Sequence, residues 1–352
     1  CTRTGNCTRT GNCTRTGNCT RTGNRTMIAF RPWRWAVALG LAVLLTMGLA
    51  ACGSASPLGE KGGGTDSDEL RVIAVTSYLA DIAQNVAGDR LEVASLIPEG
   101  SDSHSFEPTP QDAKALAESN IVIRDSKGLT PLVDNLIAGS ANEGQVVVEA
   151  SAGLEGRLVE KKAHEDEPGG EGPHEHDTGG IDPHFWLDPV NIVTYAENVG
   201  KAFAAADPDG ADVYEANVAA YGEQLHELDA WIVEQVAEIP PEHRLLVTNH
   251  EEFGYFADRY GFEVVGTVFP VVSGEGAPSA QQLTNLVAEI QATGAPAIFL
   301  EAGASTDLAE AVAWETGAMV VGDLYLHSLS KEAPSYLEMM RWNVTKIVEA
   351  LR

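Results

Sequence analysis

The sequence predicts an α/β protein of two lobes, each with a sheet of roughly four strands, joined by one long helix. Short apolar runs such as RVIAV (71–75) and RLLVT (244–248) alternate with segments of helical periodicity, and this alternation occurs twice along the chain. Between the two sets, segment 209–238 carries apolar residues near helical spacing. As a helix it would be about 45 Å long, enough to connect two lobes.

The predicted elements divide the folded part into an N-terminal lobe (70–208), the linking helix (209–238) and a C-terminal lobe (239–352). Strands are predicted at 71–75, 91–97, 120–124, 145–149, 244–248, 262–269, 297–301 and 318–326. The other helices are predicted at 78–88, 111–118, 130–138, 189–206, 251–260, 279–294, 306–316 and 334–351. An irregular segment rich in Gly, Glu, Asp and His interrupts the first lobe, and we expect 155–181 to be a flexible loop.

The sequence pattern of the first 69 residues indicates that they do not belong to this fold. Residues 1–24 are four copies of CTRTGN, so we treat 1–26 as lying upstream of the true start; the alternative is a low-complexity arm. Residues 27–51 have the basic start and apolar centre of a secretory signal, and they end in LAAC. This ending resembles a bacterial lipobox and predicts lipidation of Cys52, followed by a flexible tether over 52–69; the alternative is a single membrane-anchor helix.

Charge and cysteine content narrow the function classes. The formal net charge is −28, and every acidic residue lies after position 51. Such a surface repels nucleic acid and concentrates cations, although solubility alone also explains it. Four of the five cysteines lie in the repeat and the fifth is Cys52, so the predicted body has neither a disulfide nor a thiolate metal site.

Four histidines fall just beyond a predicted strand or at a loop–helix junction: His104, His184, His250 and His327. Two belong to each lobe. Because sites in α/β folds lie beyond the carboxyl ends of strands, a cleft between the lobes would bring them together. Neutral imidazole is the commonest metal ligand, and four suit tetrahedral zinc. The intervals between these histidines match no compact zinc motif. The hypothesis therefore depends on their positions at the ends of predicted strands.

Three motifs resemble the zinc- and manganese-binding lipoproteins of ABC-type metal importers: GSDSHSFEPTPQD, DPHFWLDP and VTNHEEFGYFADRYG. The resemblance implies ligands at His104, His184 and His250, and a histidine at 250 indicates zinc rather than manganese. In LYLHSLS, His327 replaces an Asp that is usual in the family. The segment IRDSKGLTPLVD also lacks the Asn-Gly pair that the family usually has before the corresponding helix. The resemblance further implies an extracytoplasmic monomer that passes a buried metal to a permease.

Other residues have competing interpretations. Glu107 and Asp182 either accept hydrogen bonds from ligand imidazoles or cap local structure, and Glu301 either supports a ligand or is one. Asp323 is the alternative to His327 as fourth ligand. Phe185 and Trp186 are expected in the core, and Asn249 with Glu252 at a helix N-terminus. The predicted flexible loop contains His164, His174 and His176. These histidines either bind metal loosely or belong to a solvated linker.

Two other function classes remain open at this stage. The first is an anchored zinc hydrolase, with Glu301 or Glu251 as base if His327 is not a ligand. Against it, the sequence has no HExxH motif and no nucleophile elbow. The second is an adhesin or a receptor for an organic ligand or metal chelate. Such a receptor needs an aromatic-lined cleft, and aromatic residues make up only 7% of the chain.

Overall fold

The computed structural model describes residues 70–126, 129–159, 180–269 and 277–352. The signal segment, Cys52, the tether and the three loop histidines all lie outside this part of the chain. None of the helices within it combines the length and the apolar character that crossing a bilayer would require.

The first lobe contains a four-stranded parallel sheet with strand order β2-β1-β3-β4. Its strands are β1 (Val72–Ala74), β2 (Val93–Ser95), β3 (Ile121–Arg124) and β4 (Val146–Glu149). Its helices are α1 (Ser77–Ala87), α2 (Pro110–Ala117), α3 (Pro131–Ser140) and α4 (Pro189–Ala206). The central strands β1 and β3 are runs of Val, Ile and Ala buried on both faces, the pattern expected for parallel strands covered by helices.

The second lobe repeats this topology, with strand order β6-β5-β7-β8 and all strands parallel. Its strands are β5 (Leu245–Thr248), β6 (Glu263–Thr267), β7 (Ala297–Glu301) and β8 (Met319–Leu324). Its helices are α6 (Gly254–Tyr260), α7 (Ala280–Thr293), α8 (Asp307–Thr316) and α9 (Tyr336–Leu351). The prediction of two α/β lobes with four-stranded sheets is confirmed.

The long helix α5 (Ala211–Val236) packs against both lobes. Its Asn217 side chain donates to the Val86 carbonyl of α1 at 3.0 Å. Toward its other end, Asp229 accepts hydrogen bonds from Arg259 at 2.7 Å and from Tyr260 at 2.9 Å, both on α6. Buried side chains of α5 belong to one hydrophobic cluster that includes residues from both lobes. The lobes are therefore packed together through a shared core.

Two predicted helix caps are wrong. Glu107 does not cap α2, because Thr109 is the N-cap and forms a reciprocal capping box with Asp112. Glu252 and Asn249 do not cap the next helix, because α6 begins only at Gly254. The Thr248 hydroxyl donates to the carbonyl of residue 250 at 2.7 Å, which closes a turn directly after β5. This turn delays the helix and leaves 251–253 in irregular backbone.

A bulge near the end of β8 redirects the chain toward the cleft. Asp323 is the one non-glycine residue of the described chain with positive φ, at 63°. The pairing register between β7 and β8 shifts at this point, so that Leu324 lies opposite Glu301. The Asp323 carbonyl accepts a hydrogen bond from the Trp342 indole at 2.7 Å. Bulges bend a strand and re-aim the residues that follow it, which here are those leading to position 327.

Candidate metal centre

The four histidines predicted from their positions at strand ends meet between the lobes. His104 lies in the loop after β2, and His184 precedes a short 3-10 helix over Phe185–Leu187. His250 follows β5 and His327 follows β8. The distances between their ring centroids lie between 4.7 and 5.7 Å, and each offers a nitrogen within 4.8 Å of the others. The parallel sheets of the two facing lobes thus bring four side chains from distant parts of the sequence close together.

Hydrogen bonds on the outer side of the rings orient the four imidazoles. Nδ1 of His184 contacts Asp182 Oδ1 at 2.8 Å, and Nδ1 of His327 contacts Glu301 Oε1 at 2.9 Å. The ring of His104 is hydrogen-bonded to the backbone of Leu129. Nδ1 of His250 has the weakest support, a 3.5 Å contact with Asn249. The carboxylates beside His184 and His327 accept from Nδ1, which leaves Nε2 free to bind metal, whereas the amide nitrogen of Asn249 can only donate to Nδ1 of His250.

The Nε2 atoms point inward. Among the described residues, Nε2 of His184 and Nε2 of His250 are buried without a hydrogen-bond partner. Nε2 of His104 lies 3.1 Å from Nε2 of His327. Buried polar atoms are normally paired, so two orphaned nitrogens facing one point indicate that another group belongs there. Four imidazole donors around one point suit a divalent transition metal.

The pKa values of three of these histidines are lowered. Burial, reinforced by the neighbouring imidazoles, lowers the pKa of His104 to about 2 and that of His250 well below its usual value. Burial also lowers the pKa of His184, although Asp182 opposes the shift. Burial alone would lower the pKa of His327, but the Glu301 carboxylate outweighs it and raises the pKa to about 9. Three of the four imidazoles are therefore neutral at pH 7, whereas the fourth carries a proton that metal binding would displace.

Direct contacts between the lobes surround the four rings. The Trp186 indole donates to the Leu326 carbonyl at 2.7 Å, and the Tyr336 hydroxyl donates to the Trp186 carbonyl at 2.6 Å. The Ser77 hydroxyl accepts from the backbone N–H of Leu329 at 2.9 Å. Trp186 also stands edge-on to the rings of two of the histidines. The cleft is thus closed on this side by hydrogen bonds from residues that flank His327.

The carboxylates predicted near the site divide into two groups. Asp182 and Glu301 each accept hydrogen bonds from the ring and the backbone N–H of a histidine. Glu107 is exposed and lies outside the cluster, and the same holds for Asp323, whose backbone forms the bulge in β8. The carboxylate that approaches from the loop of His104 is instead Asp102, which groups with Glu301 and His327.

One acidic residue of the site was misassigned from the sequence. Glu252 is 1% exposed, and its Oε2 lies 3.4 Å from Nε2 of His250. The helical periodicity of the following residues predicted a helix cap at the surface, so Glu252 was not predicted to lie in the site. The available signal was a carboxylate two residues beyond His250, directly before the apolar segment FGYF. The prediction that Phe185 and Trp186 lie in the core is confirmed, since both are buried.

Comparison with known proteins places the chain in a family. The family model described as zinc-uptake complex component A periplasmic matches residues 72–350. The manganese-binding lipoprotein MntA of Halalkalibacterium halodurans is 30% identical over 312 residues, covering 88% of this chain and 97% of the relative. The metal ABC transporter substrate-binding lipoprotein FimA of Streptococcus parasanguinis is 32% identical over 327 residues, covering 90% and 98%.

Solved structures agree with this placement. A manganese-bound variant of a periplasmic metal-binding protein from Candidatus Liberibacter asiaticus has a TM-score of 0.71 at 28% identity, covering 80% of this chain and all of that one. The periplasmic zinc-binding protein TroA of Treponema pallidum shares the fold, with a TM-score of 0.70 at 24% identity over 80% of this chain and 99% of its own.

These relatives are substrate-binding proteins rather than enzymes, and one of the two candidate bases in the hydrolase alternative, Glu301, is hydrogen-bonded to His327. This chain belongs to the zinc-uptake complex component A family of metal ABC transporter substrate-binding lipoproteins.

Proposed function

We propose that this protein captures one zinc ion outside the cytoplasm and delivers it to the permease of an ABC importer. The observation that carries the proposal is the set of four imidazoles whose inner nitrogens face one point. Imidazole suits zinc, whereas manganese prefers carboxylate, carbonyl and water oxygens. His104, His184, His250 and His327 are the proposed ligands, and Asp182 and Glu301 hold two of them in the binding tautomer.

Manganese is the competing cargo, because several relatives are named for it. A direct competition titration decides between the two ions. We expect about one zinc per chain, bound far more tightly than manganese. Manganese that displaces zinc at comparable concentration would contradict the zinc assignment and leave the family membership untouched.

The proposed organisation places this site on a lipid anchor. Residues 27–51 act as the signal, Cys52 carries the lipid and 52–69 form a flexible tether, followed by lobes 70–208 and 239–352 around the linking helix. We expect a monomer on the outer face of the membrane. Cys52→Ala should move the protein from the membrane fraction to the soluble extracytoplasmic fraction without changing zinc affinity. Retention of Cys52→Ala on the membrane would contradict lipid anchoring.

A further inference from the structure

The carboxylate behind His184 faces an arginine. Asp182 is fully buried, and its Oδ1 accepts from the backbone N–H of His184 at 3.0 Å and contacts Nδ1 of the ring at 2.8 Å. Its other oxygen, Oδ2, lies 3.6 Å from Nη1 of Arg157. In the described part of the chain, no lysine or arginine pairs in this way with Glu252 or Glu301. One of the carboxylates beside the histidines therefore has a counter-ion of its own.

Backbone contacts fix Arg157 relative to Asp182. The Asp182 N–H donates to the Arg157 carbonyl at 2.8 Å. The Tyr255 hydroxyl accepts from the Arg157 N–H at 2.9 Å and donates to the Asp182 carbonyl at 3.0 Å. A Cβ added at Gly254 would lie 2.5 Å from both Arg157 Nη1 and Asp182 Oδ2, so the first residue of α6 closes directly over these two atoms. The guanidinium is thus part of the wall behind His184.

The second lobe holds the guanidinium in this place. Nε of Arg157 donates to Asp258 Oδ2 at 2.9 Å, and Nη1 lies 4.0 Å from Glu251 Oε1. Neither Nη1 of Arg157 nor Oδ2 of Asp182 has a hydrogen-bond partner among the described residues, so their mutual interaction is one of charge. The Arg157 side chain is 21% exposed and that of Asp182 is not exposed at all. Charges buried to this degree are screened little by solvent.

A cation at this position opposes the binding of a metal ion. Neutral imidazoles bring no negative charge, so a buried divalent ion depends on nearby carboxylates to offset its charge. Arg157 reduces what Asp182 contributes, and its own charge repels the ion. Asp182 still orients His184, because the oxygen that faces the ring is Oδ1 and the one that faces the guanidinium is Oδ2. Orientation of this ligand is therefore retained while its charge support is reduced.

We infer that Arg157 is a positioning residue that limits the metal affinity of the site, by holding Asp182 behind His184 and offsetting the charge of its carboxylate. This inference rests on the proposed function. A protein that delivers its cargo must also release it, and a cation behind one ligand favours release. The lobes are thus joined behind His184 by contacts that fix the ligand without adding negative charge to the site.

Arg157→Gln tests the inference, with Arg157→Lys as the variant that keeps the charge. Arg259→Gln is the matched control, because Arg259 of α6 pairs with Asp188 and Asp229 and contacts no carboxylate beside a histidine. Competition with a chelator measures the zinc affinity of each full chain. Affinity should rise on the order of 10-fold in Arg157→Gln, since outer partners of metal ligands act on that scale, and should change little in the two others. Unchanged or weaker binding in Arg157→Gln, or an equal gain in either of the others, would overturn the inference.

Thermal unfolding separates this effect from a merely structural role. Metal-free Arg157→Gln should unfold at a lower temperature than the unsubstituted protein, because Asp182 becomes a buried anion without its counter-ion. Zinc should then raise the unfolding temperature of this variant by more than it raises that of the unsubstituted protein. A structural role alone would lower stability and weaken zinc binding together, and that result would overturn the inference.

A double-mutant cycle shows whether Arg157 acts through Asp182. In the Asp182→Asn background, Arg157→Gln should give much less gain in zinc affinity, because no carboxylate charge remains there to be released. A gain of the same size in both backgrounds would show that Arg157 acts independently of Asp182 and would overturn the inference. Failure of the unsubstituted protein to bind zinc would instead refute the proposed function.

Discussion

The two lobes contribute equally to the count of imidazoles but unequally to the charge around them. In the N-terminal lobe, His104 is partly exposed and hydrogen-bonded to backbone, and the carboxylate behind His184 faces Arg157. In the C-terminal lobe, His250 and His327 are buried, and each lies next to a carboxylate, Glu252 or Glu301. Equal topology therefore does not mean equal surroundings: each histidine of the second lobe has its own carboxylate beside it, and the first lobe adds the exposed Asp102 near His327.

The largest expected effect follows from removing a ligand of the second lobe. His327→Ala should weaken zinc binding on the order of 10-fold or more, because it removes one of four inner nitrogens and leaves Glu301 without its partner. His327→Asp should restore binding by returning an anionic donor. Asp323→Ala is the control and should mainly lower stability, since that residue is exposed and forms the bulge. Zinc affinity that survives His327→Ala but collapses in a folded Asp323→Ala would reverse the ligand assignment.

A smaller effect should distinguish the two carboxylates that orient histidines. Glu301→Gln should lower zinc affinity about 10-fold, because it removes both an orienting contact and a negative charge. Asp182→Asn should cost less, because the charge lost there already faces Arg157. Isothermal titration of both variants measures the difference. Equal losses would show that orientation alone matters and that the charge asymmetry between the lobes does not.

The pH dependence should also originate in the second lobe. The folded pKa of His327 is about 9, so this imidazole is protonated at pH 7 and zinc must displace its proton. Lowering the pH from 8 to 7 should therefore weaken binding, by about 9-fold from this group alone. The other three imidazoles, with lowered pKa values, are already neutral in this range. His327→Asp is the matched variant and should give a nearly flat profile over the same interval.

The smallest effect is expected in the first lobe. Deleting 163–179 should leave zinc binding at the four-histidine site unchanged, because none of the four proposed ligands of that site lies in the deleted segment. The remaining ends are already joined, since the Val159 N–H donates to the Gly180 carbonyl at 3.0 Å and Leu158 pairs with Ile181. Any weak additional binding by His164, His174 and His176 should disappear from the titration. Loss of binding at the four-histidine site would show that this segment contributes a ligand.

The sequence by itself determined the fold class and the four histidines. Runs of Val, Ile and Leu alternating with amphipathic segments identify parallel strands and their covering helices, because both patterns are local consequences of burial. The placement of His250 and His327 directly after predicted strands was equally local, since carboxyl ends of parallel strands share one edge of a sheet. The family motifs supported His104, His184 and His250, whereas His327 stands where the family usually has Asp.

Only the tertiary structure decided which carboxylates support them. Glu107, Asp182, Glu252 and Glu301 look alike in sequence, since each lies near a ligand or a strand end. Their roles depend on the position of α6, which begins three residues later than its periodicity predicts, and on the bulge at Asp323. They depend also on Arg157, whose side chain faces Asp182 from a segment 25 residues earlier in the chain. Charge compensation arises from contacts across the cleft, and such contacts leave no periodic signal in the sequence that forms them.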